Sequence, residues 1–87
     1  MLLLKRKLTN FFELPKEIML NLPVINILGS EEIGIENYRN IIEYTSEQVR
    51  ILTSCGVLKI NGNGMVLKSI TAENIIIAGK IGHVGYI

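Results

Sequence analysis

His83 and Cys55 carry the most reactive side chains in this sequence, and each is the only residue of its type. A cysteine nucleophile needs a base to activate it, and His83 is the one histidine that could serve. Nothing in the spacing ties the two together. Cys55 sits in Thr53-Ser54-Cys55-Gly56, where it reads as a buried or half-buried small residue of a turn. His83 sits in Gly82-His83-Val84-Gly85-Tyr86 and reads as an exposed or edge position of a C-terminal strand. One histidine and one cysteine do not make a usual structural zinc site. Glu31, Glu32 and Glu36 offer paired carboxylates for acid–base work. Glu32 and Glu36 fall on one face of a short strand, which reads as the solvated one. Asn61-Gly62-Asn63-Gly64 has the composition of a phosphate cradle. Such a cradle needs a helix after the loop and a Lys-Ser or Lys-Thr at its end, and a second apolar run follows here instead. The tetrapeptide therefore reads as a hairpin loop, pairing Ile60 with Met65 and Leu58 with Leu67 on one apolar face. No converging set of acids, bases and nucleophiles emerges, so neither an enzyme nor a cofactor or metal site is expected.

The elements that must carry these residues are short and β-rich. The chain has 87 residues, of which 48% are hydrophobic, with few aromatics and no Trp. One domain of this size buries roughly 60–65% of its unfolded surface, so its core must come from branched aliphatics. Ile33 and Ile35 alternate with Glu32, Gly34 and Glu36. Val49, Ile51 and Thr53 alternate with Gln48, Arg50 and Leu52. Ile42 and Tyr44 are expected on one face, as are Ile75, Ile77, Gly79 and Ile81. Alternation also starts at Ile18, Leu20 and Leu22. Turn residues interrupt these runs at Gly29-Ser30, Asn37, Ser46, Ser54 to Gly56, and Thr71 to Asn74. Period-two runs between such turns indicate an all-β, antiparallel sandwich or roll. A β-solenoid-like stack is the alternative, although no fixed repeat recurs.

Residues 1–14 differ from the rest. Leu4, Leu8, Phe11 and Phe12 fall at helical spacing around Lys5, Arg6 and Lys7, and Pro15 ends the run. This segment is expected to be a short basic amphipathic helix, either docked on the domain or touching a membrane surface or partner. Residues 15–87 form the single β domain. The opening Met-Leu-Leu-Leu-Lys-Arg-Lys lacks the order of a signal peptide, and no apolar run approaches a membrane span. Nine Lys and Arg balance eight Asp and Glu, which disfavours a nucleic-acid binder. A small nucleic-acid-binding β-barrel is kept as the alternative function. The single cysteine fits a reducing cytosol. Asn37-Tyr38-Arg39 is the most individual polar stretch of the β region. With Lys5, Arg6, Lys7, Phe11 and Phe12, it supplies the candidate interaction residues.

Several framework segments carry a resemblance. Glu13-Leu14-Pro15, Leu22-Pro23 with Gly29, Ile35-Glu36-Asn37, Ile42-Glu43-Tyr44-Thr45 and Ile77-Ala78-Gly79-Lys80-Ile81 resemble the YabP/YqfC family of sporulation proteins, most of all its YqfC branch. The likeness covers roughly residues 8–82. One departure is Tyr38-Arg39-Asn40, where the family pattern expects His-Lys-Gly or His-Arg-Gly. The resemblance implies an endospore-forming bacterium and a non-enzymatic role in spore coat or envelope morphogenesis. It implies a cytoplasmic place in the mother cell, peripheral to the forespore membrane. The implied partners are other sporulation proteins, a membrane protein among them, while the apolar composition of so small a chain independently suggests burial against further copies of itself as a homo-oligomer.

Overall fold

Among the described residues, the runs that alternate aliphatic with polar side chains become strands. The computed structural model describes residues 22–87. Its strands are β1 (Val24–Leu28), β2 (Glu32–Glu36), β3 (Asn40–Tyr44), β4 (Gln48–Thr53), β5 (Gly56–Ile70) and β6 (Asn74–Tyr86). They form one sheet in the order β1-β2-β6-β5-β4-β3, and every neighbouring pair is antiparallel. The all-β antiparallel expectation holds, and the stacked solenoid does not apply. The helix expected in residues 1–14, with Lys5, Arg6, Lys7, Phe11 and Phe12, lies outside the described residues, as does the alternation at Ile18 and Leu20.

The organising element is one long hairpin. β5 has 15 residues and β6 has 13. β2 and β1 flank the half of it near the turn, along Asn74–Ala78. β4 and β3 flank the other half, along Gly56–Asn61. The two halves fold over one another. Ile33, Ile35, Ile75 and Ile77 from one half meet Val49, Ile51, Leu58 and Ile60 from the other, with Met65 at the bend. All nine are at most 1% exposed. A single open layer would leave one face wet, so this burial requires the sheet to serve as both layers of a sandwich. At about 1.5–3 kcal/mol for each fully buried large aliphatic, these nine side chains are the main favourable term.

The bend overturns the hairpin expected at Asn61–Gly64. This stretch is the middle of β5, paired through bulges as Asn61 with His83, Gly62 with Ile81 and Asn63 with Lys80, and resuming at Val66 with Ala78. Close backbone approach explains the glycines. A Cβ on Gly62 would lie 2.1 Å from the Lys80 carbonyl oxygen. A Cβ on Gly79, whose φ is 144°, would lie 2.7 Å from the Met65 Cα. Bulges with glycine let a strand bend where any side chain would block it. The bend is clasped from both sides. Gly62 and Met65 donate to the carbonyls of Glu47 and Ser46 at 3.0 and 2.9 Å. Gly79 and Ile81 donate to those of Glu31 and Ser30 at 3.0 and 2.7 Å. The β1–β2 and β3–β4 turns thus play matching parts in the two halves.

The hairpin turn proper is Thr71–Asn74. There the Thr71 hydroxyl accepts the N–H groups of Glu73 (3.4 Å) and Asn74 (2.9 Å). Thr45 does the same for Glu47 (3.3 Å) and Gln48 (2.9 Å) in the β3–β4 turn. Two smaller expectations also change. A bulge at Ile42 places Ile41 opposite Ile51 and Tyr44 opposite Val49, so Tyr44 shares the inner face with Ile41 and not with Ile42. Cys55 is exposed. The Thr53 hydroxyl accepts the Cys55 N–H (3.1 Å) and donates to the Gly56 carbonyl (2.8 Å), so it closes this turn from within and leaves the thiol outside.

Candidate interaction surfaces

The corner at Asn37-Tyr38-Arg39 joins the two halves of the sheet. Asn37 adopts φ 63°, a left-handed geometry that a short carboxamide tolerates. Its N–H donates to the Glu73 carbonyl at 2.7 Å and its Nδ2 to the Leu22 carbonyl at 2.9 Å. Tyr38 packs against the core, and its hydroxyl donates to the Thr71 carbonyl at 2.7 Å. The Arg39 N–H donates to the Leu52 carbonyl at 2.8 Å, and the residue is exposed. Asn37 and Tyr38 therefore fasten the corner to the β5–β6 turn. Of the three, Arg39 is the one whose side chain is offered outward.

The residues considered for chemistry stay apart. Cys55 is at the β4–β5 turn, while His83 pairs with Asn61 and is exposed. About five residues of strand, or roughly 17 Å, separate the two positions, so they form no nucleophile–base pair. Glu32 and Glu36 do share the outer face with Gly34 between them, as their registers with β1 and β6 require. Glu32 pairs with Lys68 Nζ at 2.8 Å. A groove of about 280 Å³ lies over Gly34, edged by Asn26, Leu28, Glu36 and Ile76. Among the described residues, no three His, Cys, Asp or Glu side chains are grouped to hold a metal ion.

The other outer face carries a polar network that sequence reasoning missed. Glu43 Oε1 accepts from Gln48 Nε2 at 2.6 Å and from Arg50 Nε at 2.8 Å. Asn61 Nδ2 donates on to Gln48 Oε1 at 3.1 Å. The Gln48 and Arg50 hydrogen bonds hold the Glu43 carboxyl below its ordinary value. Lys59 lies directly opposite Arg50. Polar residues at alternate positions of β4 hinted at such a face, but the bulge in β3 that aims Glu43 at it had no signal in the sequence.

The two edges of the sheet differ. β3 carries a bulge and a charge. β1 reads Val-Ile-Asn-Ile-Leu, pairs with β2 in unbroken register, and ends on Ile27 and Leu28, which are 53% and 68% exposed. A flat, uncharged edge is competent to take another strand.

The same framework recurs in known proteins. A model of the YabP family matches residues 21–87. The chain belongs to the YabP family. This YabP-family chain is also 34% identical over 84 residues to YqfC of Bacillus subtilis (strain 168), a protein described as uncharacterized. The match covers 97% of the chain and 90% of YqfC. The segments carrying the family pattern can be placed in the fold. Ile35-Glu36-Asn37 ends β2 at the corner, and Ile77-Ala78-Gly79-Lys80-Ile81 crosses the bend. Among the described residues, no helix is long and apolar enough to cross a membrane.

Proposed function

We propose that this YabP-family chain is a non-enzymatic sporulation protein that acts by protein–protein assembly in spore coat or envelope morphogenesis. The observation that carries the reading is the β1 edge, uncharged and, among the described residues, paired on one side only. Its place is the cytoplasm of the mother cell, peripheral to the forespore membrane. Its partners are other sporulation proteins, including a membrane protein. Strand addition at an open edge supplies affinity through the main chain and leaves specificity to alternate side chains. Arg39 and the basic residues Lys5, Arg6 and Lys7 add attraction for acidic partners or anionic lipid. A nucleic-acid role draws less support, because Arg50 is tied to Glu43 and, among the described residues, no row of aromatic rings lines a basic stripe.

The test is genetic and cytological. In an endospore-forming host, deletion of the gene is expected to lower spore resistance to heat or lysozyme. A fluorescent fusion is expected to gather around the forespore. Spores of full resistance together with a diffuse fusion would defeat the proposal.

A further inference from the structure

We propose that two copies of this chain pair through β1, antiparallel about Asn26, so that the sheet continues across a two-fold axis. Among the described residues, β1 has β2 as its one neighbour. The direction of its free backbone groups follows from the bonds around β2. The Glu31 carbonyl accepts from Gly79, and the Asn37 N–H donates to Glu73, so odd-numbered residues of β2 turn toward β6. Alternation then turns Glu32, Gly34 and Glu36 toward β1, where they meet Leu28, Asn26 and Val24. Ile25 and Ile27 are left with N–H and C=O groups directed away from the sheet.

Open edges are commonly blunted by lysine, proline or a bulge. Val24–Leu28 contains none of these, and its register with β2 is unbroken. The opposite edge is protected: β3 is bulged at Ile42, carries Glu43, and has the Asn40 carboxamide oxygen bonded to the Ile41 N–H at 2.9 Å.

The sequence of β1 selects a second copy as the occupant. Val24-Ile25-Asn26-Ile27-Leu28 reads nearly the same in both directions. Antiparallel pairing about Asn26 sets Ile25 against Ile27 of the second copy, Val24 against Leu28, and Asn26 against itself. Ile25 and Ile27 are also the residues with outward backbone groups, so both Ile–Ile pairs become hydrogen-bonded pairs. Asn26 falls at the non-hydrogen-bonded centre, where Cα atoms approach to about 4.5 Å. On the core side, Ile25 and Ile27 meet their counterparts and extend the apolar layer. No like charges are brought together. An unrelated strand would have to match this pattern by chance, whereas a second copy matches it by construction.

The pairing rests on the same β1 edge as the assembly reading and deepens it by naming a second copy of the chain as the occupant of that edge. A monomer would leave that reading's partners to be found, and a dimer would stand whether or not spores require it. The test uses the full chain with Cys55→Ser, light scattering after gel filtration, and oxidation of single-cysteine variants. The expected mass is twice the 9.7 kDa of the chain. Asn26→Cys is expected to form a disulfide-linked dimer, because the opposed Cα distance suits the bond. Leu28→Cys is expected not to, because its own counterpart lies about 13 Å further along the strand. Ile27→Lys, at a half-exposed position, is expected to give a monomer with unchanged far-ultraviolet circular dichroism. The proposal is overturned if the parent chain is monomeric, which would leave the edge to a different strand. It is also overturned by a dimer that survives Ile27→Lys, or by one that cross-links no better at position 26 than at 28.

Discussion

Replacing Gly62 by alanine adds one methyl group and should come close to unfolding the domain. The added Cβ would sit 2.1 Å from the Lys80 carbonyl oxygen and 3.1 Å from Met65 Sδ. The sulfur can swing away, but the carbonyl belongs to β6 and cannot. Relief requires β5 and β6 to separate at the bend. Overpacking of this kind costs about 1–3 kcal/mol. Separation also endangers the two hydrogen bonds from Gly62 and Met65 to the β3–β4 turn, each worth about 1 kcal/mol net. The total of about 3–5 kcal/mol is a large share of the roughly 4–13 kcal/mol available to a chain of this size. It corresponds to a fall in Tm of at least about 12 °C. Gly34→Ala is the control, because its Cβ meets nothing within 4 Å and the residue lies in an ordinary strand. It is expected to stabilise by up to about 1 kcal/mol. Thermal melts followed by circular dichroism read both. If Gly62→Ala melts within about 3 °C of the parent, a shift worth under 1 kcal/mol, then Asn61–Gly64 is a solvent-exposed loop and the folded-over sheet is wrong.

Tyr44→Phe removes a hydroxyl that accepts from the Leu67 N–H at 3.2 Å and donates to the Met65 carbonyl at 3.5 Å, the tie between β3 and the far half of β5. A loss of about 1 kcal/mol is expected in urea unfolding. Asn37→Ala should cost about 1–3 kcal/mol in the same assay, from the left-handed backbone and the lost bond to Leu22, whereas Asn37→Gly should recover the backbone part. Glu43 has a folded pKa lowered from 4.5, chiefly by the Gln48 hydrogen bond and then by that of Arg50. A lowered carboxyl pKa contributes stability above the unfolded value and loses it as pH falls through the folded one. The Tm gap between parent and Glu43→Gln should therefore be widest near neutral pH and should close as pH falls through the lowered folded pKa, and a gap that is constant with pH would argue against the network.

The strands were legible wherever alternation was unbroken. Ile33 and Ile35, Val49 and Ile51, and Ile75 and Ile77 all lie on the buried face their spacing required, because period two is a property of the extended chain itself. Turns at Gly29-Ser30, Asn37, Ser46, Ser54 to Gly56, and Thr71 to Asn74 were legible for the same local reason. The bulges were not. The shift at Ile42 exchanges inner and outer faces over three residues, and only the pairing with Arg50 and Val49 reveals it. Of the candidate interaction residues, Asn37 and Tyr38 also fasten the corner, which no local pattern could show, since their partners Leu22, Glu73 and Thr71 are distant in sequence.

An all-β antiparallel fold, an aliphatic core and the family were all readable from the residues alone. These rest on local alternation and on framework segments that need no knowledge of contacts. The role of Asn61-Gly62-Asn63-Gly64 depends instead on long-range packing. An Asn-Gly repeat between apolar runs has the local chemistry of a tight turn, and a hairpin there would satisfy every neighbouring residue. The carbonyl of Lys80, eighteen positions away from Gly62, makes the difference. It presses so close that only glycine fits, and the strand bends and continues at the place where it was expected to turn back.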